Sequence, residues 1–216
     1  TLLSKLELDE NVHKILKKYA HSVGIEFLST GFTLESIDFL SKLGLKRWKV
    51  PSGEINNIPL LRKVASQNQP TIISTGMASL GEIEIALKTL YENDLDKEKI
   101  SVLHCNTAYP TPMEDVNLKA IRTIKNSFDI NVGFSDHTEG IEASIAAVAI
   151  GAQIIEKHIT LDKNMPGPDH KASIEPGELY NLVNSIRNIE KAIGNGIKSP
   201  SNSEIINMKV ARKSIV

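Results

Sequence analysis

The chain has 216 residues with 25 basic and 26 acidic side chains, a formal charge of -1. That balance offers no general attraction to nucleic acid or an anionic membrane, so any affinity for anions has to come from a local site. Its 41% hydrophobic content suits one domain with a sizeable core, no stretch approaches the roughly 18 apolar residues of a membrane span, and the single cysteine, Cys105, excludes an internal disulfide and fits a reducing, cytoplasmic compartment.

The start, Thr1 to Lys5, lacks the apolar run of a signal peptide, and the end, Ala211 to Val216, stops on an apolar pair. Both ends read as cuts through a longer protein, the alternative being a genuinely small domain. Asp9 can cap a helix that carries Val12, Ile15, Leu16, Tyr19 and Val23 on one face and ends at Gly24. Ile25 to Leu28 reads as a strand, Leu34 to Leu43 as a helix stopped by Gly44, and Arg47 to Val50 as the next strand. Pro59 to Ala65 is helical, and Pro70 to Ile73 is an apolar strand.

Ser79-Leu80-Gly81-Glu82 has the form of a capping box opening a helix with Ile83, Ala86, Leu87 and Leu90 on its face. Ser101 to Leu103 is a strand, Val116 to Phe128 a helix, and Ile130 to Phe134 a strand. Thr138 is placed to cap the apolar helix Ile141 to Ile150. Ile154-Ile155 forms a strand, and Leu179, Leu182, Val183, Ile186, Ile189 and Ile193 mark a last helix stopped by Gly194. Thr160 to Glu175 is a long loop of the kind that binds ligands or acts as a lid, and Asn195 to Ser203 reads as a connector.

Strands thus begin near residues 25, 46, 71, 101, 130 and 154, at roughly the spacing of one βα unit. Regular alternation of this kind makes a parallel sheet, either open and doubly wound or part of a barrel. No Gly-rich phosphate turn or Walker loop is present, and polar residues follow every strand, as they do around the active end of a TIM (β/α)8 barrel. The reading is an α/β fold: residues 1–195 as a partial TIM barrel of about six βα units with the first two strands absent, and 196–216 as a linker.

Four groups carry chemistry. His137 and His158 end consecutive strands and could share one metal ion, leaving positions open for Lewis-acid work on a carbonyl; the bland alternative is a pair of buried, hydrogen-bonded imidazoles. Lys49, Ser52, Gly53 and Glu54 put a cation, a hydroxyl, a flexible backbone and a carboxylate in one turn, suited to phosphate or carboxylate binding with Glu54 as proton carrier, or else to a solvated Lys–Glu turn. Thr30, Ser74 and Ser135 add hydroxyls that could ring an oxyanion or simply cap helices. Asn106 to Pro112 is a Pro-stiffened loop presenting Tyr109. Cys105 reads as an inert, small buried residue, His104 as packing or support, and His13 and His21 as solvated.

These stretches together resemble the sialic acid synthase family, the N-acetylneuraminate synthases and their legionaminate and pseudaminate relatives. The matching segments are FLSTGF (27–32), KVPSGEINN (49–57), IISTGM (72–77), LHCNTAYPTP (103–112), GFSDHT (133–138), EKHIT (156–160) and PGPDHK (166–171). The resemblance implies condensation of phosphoenolpyruvate with an N-acyl-amino sugar aldehyde, of the N-acetylmannosamine type, to a nine-carbon 2-keto acid and phosphate. The alternatives are a legionaminate or pseudaminate synthase of the same family, or another phosphoenolpyruvate-dependent keto-acid sugar synthase. It implies a divalent metal, manganese with magnesium or cobalt as substitutes, on His137 and His158. Lys49, Ser52, Ser74, Ser135 and Thr30 would hold phosphoenolpyruvate with help from Asn106 or Thr107. Tyr109 and Asp169 would contact the sugar, with Glu54 as an acidic site residue.

The family also has a Glu and a Lys on its first two strands and a C-terminal antifreeze-like domain that contributes to the partner's site in a homodimer; none of these is in this chain. The expectation is therefore that 216 residues alone are weakly active or inactive. An arabino-heptulosonate or octulosonate phosphate synthase would want an additional basic cluster, which is not apparent. A noncatalytic sugar-binding barrel is the reading from a different class.

Overall fold

A computed structural model describes residues 8–212, and the readings made on Thr1 to Lys5 and on Lys213 to Val216 lie outside the described residues. Five parallel strands form one sheet in chain order: β1 (Trp48–Val50), β2 (Thr71–Ser74), β3 (Ile100–Cys105), β4 (Asn131–Asp136) and β5 (Ile154–Lys157). The helices are α1 (Glu10–Ser22), α2 (Leu34–Leu43), α3 (Ile58–Ala65), α4 (Leu80–Tyr91), α5 (Lys119–Phe128), α6 (Glu142–Ala149), α7 (Pro176–Ile193) and α8 (Asn202–Ala211). The architecture is a half-barrel: an incomplete parallel sheet curling toward closure, with helices around it.

Local chemistry sets many of the helix ends. Asp9 accepts a hydrogen bond from the Val12 amide at 2.8 Å, Thr33 accepts from Ser36, and Ser79 and Glu82 close a reciprocal capping box. Gly44 ends α2 in the left-handed conformation at φ 79°, which a residue without Cβ adopts at no steric cost. Thr138, expected to cap α6, instead gives both its amide and its hydroxyl to Asp136, and α6 starts at Ile141 with no side-chain cap. An ionised carboxylate is the stronger acceptor, and it draws Thr138 back to the strand end.

The curl can be read from one contact. Five flat strands about 4.8 Å apart would put β1 and β5 about 19 Å from each other, yet Lys49 on β1 meets Glu156 on β5 at 2.9 Å. β4 accommodates the bend at Gly133, where a Cβ would come within 2.5 Å of both the Ile154 carbonyl and Leu103. On the outer face Trp48, Val50, Ile73, Ile100, Val102, Val132 and Phe134 join the apolar core beneath the helices.

Two expectations fail near the start of the chain. Ile25 to Leu28 is not a strand: Ile25 is exposed, Phe27 alone of the four packs on the core, and no backbone hydrogen bond joins the segment to β1. A strand needs ladder bonds and buried neighbours, and this segment has neither in sufficient number. The apolar face expected of α1 is also largely outside, with Ile15 and Tyr19 each 66% exposed. His13, read as solvated, is the half-buried contact instead, edge-on to Phe27 and Phe39 with Nε2 3.2 Å from the Ser29 hydroxyl. Within the stretch read as a linker, α8 forms behind a Ser201–Glu204 capping box.

Candidate active site

Side chains alternate across a strand, so residues two apart share a face. On that rule Lys49, Ser74, Cys105, Ser135 and Glu156 point to the concave side of the sheet, and His137 and His158 continue the inward series just past the ends of β4 and β5. These residues line a cleft of about 490 Å³ at the carboxyl ends of the strands, together with Thr30, Ser52, Thr107 and Tyr109. Larger surface hollows lie between α1 and α2, about 710 Å³, and along α7, about 660 Å³. Neither gathers hydroxyls, a buried lysine and imidazoles, so chemistry rather than size marks the site.

Lys49 is only 8% exposed, and both Glu156 oxygens lie 2.9 Å from its ammonium. Ser135 donates to the same carboxylate at 2.6 Å. Burial works to raise the Glu156 carboxyl, but Lys49 and Ser135 outweigh it and hold the group below the usual carboxylate range. Ser52 accepts from the Gly76 amide at 2.9 Å and lies 3.2 Å from the Cys105 sulfur. The Ser74 hydroxyl is buried with no hydrogen-bond partner, an orphan of the kind a bound acceptor would satisfy.

His137 Nδ1 lies 2.6 Å from the Asn106 carbonyl oxygen. A carbonyl only accepts, so Nδ1 carries the proton and Nε2, 3.4 Å from a Ser135 hydroxyl that donates to Glu156, keeps its lone pair. Burial lowers the His137 pKa, against the opposing pull of that bond, which keeps the ring neutral and able to ligate. The His137 and His158 rings are 5.3 Å apart; Tyr109 stacks on His137 at 4.0 Å and meets His158 edge-on at 5.5 Å. Among the described residues no group of three or more His, Cys, Asp and Glu side chains is placed to hold a metal ion. A pair of imidazoles with positions left for water or substrate fits a catalytic divalent ion rather than a closed structural one.

Of the residues expected at the site, Thr30, Lys49, Ser52, Ser74, Thr107, Tyr109, Ser135, His137 and His158 meet in the cleft, and Glu54, Asn106 and Asp169 are not in its lining. Glu54 accepts from Asn57 at 2.6 Å at the start of α3. The Asn106 side chain is spent on the Ala108 amide, and its carbonyl orients His137. Asp169 sits close enough to Tyr109 to help raise the phenol pKa, after burial and Cys105. Glu156 stands in the cleft without being among the residues expected there; period-two alternation is the signal that separates it, inward with His158, from the outward Asp136. His104 is outward, stacked on Phe134 with Nε2 donating to the Val116 carbonyl at 2.8 Å, a packing role as expected.

The NeuB family model matches residues 1–198. The chain is 56% identical over 215 residues to the N,N'-diacetyllegionaminic acid synthase of Campylobacter jejuni, covering 100% of this chain and 64% of that protein. It is 50% identical to the N,N'-diacetyllegionaminic acid synthase of Legionella pneumophila, over 99% of this chain and 61% of that one. The chain therefore spans less than two thirds of the length of these relatives. Among solved structures, an N-acetylneuraminic acid (sialic acid) synthetase from Leptospira borgpetersenii in complex with citrate aligns with a TM-score of 0.87 at 36% identity, over 96% of this chain and 73% of that one.

Proposed function

This chain belongs to the NeuB family, and from that premise we propose that the protein joins phosphoenolpyruvate to the aldehyde carbon of an N-acyl-amino sugar with addition of one water at C2, releasing phosphate and a nine-carbon sialic-acid-type 2-keto acid. The observation that supports it most is the convergence, in one cleft, of a buried lysine, an orphaned serine hydroxyl and two imidazoles. An oxyanion of the substrate takes the place of the Glu156 carboxylate on Lys49, and Ser74 and Ser135 turn their hydroxyls to it, with Thr30, Ser52 and Thr107 around them. Holding both substrates in line removes much of the entropic barrier to carbon–carbon bond formation, and fixed donors stabilise charge as phosphate leaves.

His137 and His158 would hold a divalent metal, manganese by family resemblance, which when bound supplies Lewis-acid polarisation of the aldehyde oxygen. Tyr109, with Asp169 beside it, would meet the sugar. The relatives at 56% and 50% identity are both legionaminic acid synthases. The acceptor best supported is thus a diacetamido sugar rather than the N-acetylmannosamine type expected at first. The test is product analysis by mass spectrometry of the intact protein given phosphoenolpyruvate, manganese and a panel of mono- and diacetamido hexoses. A keto acid formed with equimolar phosphate is expected, with the diacetamido acceptor preferred. Absence of both products from every acceptor rejects the reading, and preference for N-acetylmannosamine rejects the acceptor assignment alone.

A further inference from the structure

Behind the two histidines, on the helix-facing side of the sheet, lies a buried ion pair that the proposed chemistry does not use. Lys157 and Asp136 are 3.1 Å apart, with side chains 4% and 0% exposed. Asp136 accepts from the Thr138 amide at 2.8 Å and hydroxyl at 2.7 Å, and from the Ser144 hydroxyl at 2.6 Å. Lys157 also donates to the Thr138 carbonyl at 2.6 Å. A buried pair of this kind is a weak source of net stability, because desolvation offsets its Coulomb attraction. It also sits on an outer face that carries the apolar Val50, Ile73, Val102 and Phe134.

Its place in the register gives it a second use. Asp136 and Lys157 are the last registered pair of the β4–β5 ladder, one step beyond the inward pair Ser135 and Glu156. His137 and His158 follow where the ladder has stopped. β5 ends the sheet order, and just past its tip the Ile174 amide donates to the His158 carbonyl at 2.9 Å, so β4 on one side and Ile174 on the other hold the histidine in place. Through Asp136 at the end of β4 and the Thr138 carbonyl just past it, Lys157 grips the chain immediately before and immediately after His137.

We propose that Asp136 and Lys157 are positioning residues that set the spacing of the His137 and His158 imidazoles and thereby the affinity of the site for a divalent cation. The proposal rests on the reading of those histidines as metal ligands. The test is manganese binding to the intact protein without substrate, followed by the electron paramagnetic resonance signal of free Mn2+ and paired with thermal melting. Single variants Asp136→Asn and Lys157→Met strand a buried partner and lose both melting temperature and affinity. The neutral double variant regains most of the melting temperature, yet its affinity stays roughly ten-fold or more below the parent, the size of effect seen when supports of a metal site are removed. A double variant binding within two-fold of the parent overturns the proposal. Should the double variant not fold, Ser144→Ala decides: affinity weaker by about three-fold is expected, and unchanged affinity overturns it. A parent protein that binds no manganese removes the metal reading itself, and this proposal with it.

Discussion

The two faces of the curled sheet come from alternate residues of the same five strands, yet they are built on opposite terms. Outward, Val50, Ile100 and Val132 are shut against helices and make no polar demand beyond the backbone, while Trp48 beside them buries an indole N–H without a partner. Inward, Lys49, Ser74, Ser135 and Glu156 hold charge and hydroxyls in a cleft, and one of those hydroxyls has no partner at all. The contrast teaches that stability and chemistry are separated here by one residue step along a strand. Asp136 with Lys157, and His104, are places where the outer face gives up apolar packing.

That division predicts opposite responses to substitution. Trp48→Ala empties a fully enclosed outer position and should cost about 3–5 kcal/mol in urea unfolding; a loss under about 1 kcal/mol would show the outer face to be less tightly packed than described. His137→Ala should weaken manganese binding by more than about 100-fold, since a ligand matters more than its supports. It should cost only about 1 kcal/mol of stability, the worth of its bond to the Asn106 carbonyl. Equal damage to both properties would blur the contrast. Ser74→Ala sharpens it further: removing an orphaned hydroxyl should leave stability unchanged or slightly raised, while the KM for phosphoenolpyruvate rises about ten-fold, as for a lost bond to a charged group.

The smallest effect concerns pH and the outer face. Burial lowers the His104 pKa, whereas the unfolded side chain titrates near about 6.5. Stability from keeping this ring neutral is therefore complete above about pH 6.5 and is lost as pH falls toward the folded value, because the unfolded state takes up the proton first. His104→Gln should fall less steeply than the parent in unfolding midpoints measured from pH 7.5 to 5.5. Parallel profiles would mean that His104 is no colder to protons than a solvated histidine.

Much of the fold was legible because its signals are local. The bounds of α2 follow from Thr33 and Gly44, and the start of α4 from Ser79 and Glu82. Ile25 to Leu28 has a strand's composition but buries too little to hold a ladder, and composition does not report that. In the site, the inward hydroxyls and histidines could be chosen as strand-end residues in matching positions. Glu54 and Asn106 could not be sorted in the same way, since turn geometry sends the Glu54 carboxylate to Asn57 and the Asn106 amide group back to its own loop.

By itself the sequence determined the alternation of strands and helices from β1 onward, helix ends such as those at Gly44 and Ser79, and the identity of the polar residues at each strand tip, all of which depend on spacings of a few residues. Only the tertiary structure decided that Lys49 would be answered by Glu156, 107 positions along the chain, and that an ion pair would sit behind the histidines. Both depend on how far five strands curl and which way each tip turns, and those are sums of packing over the whole sheet that no single stretch of residues contains.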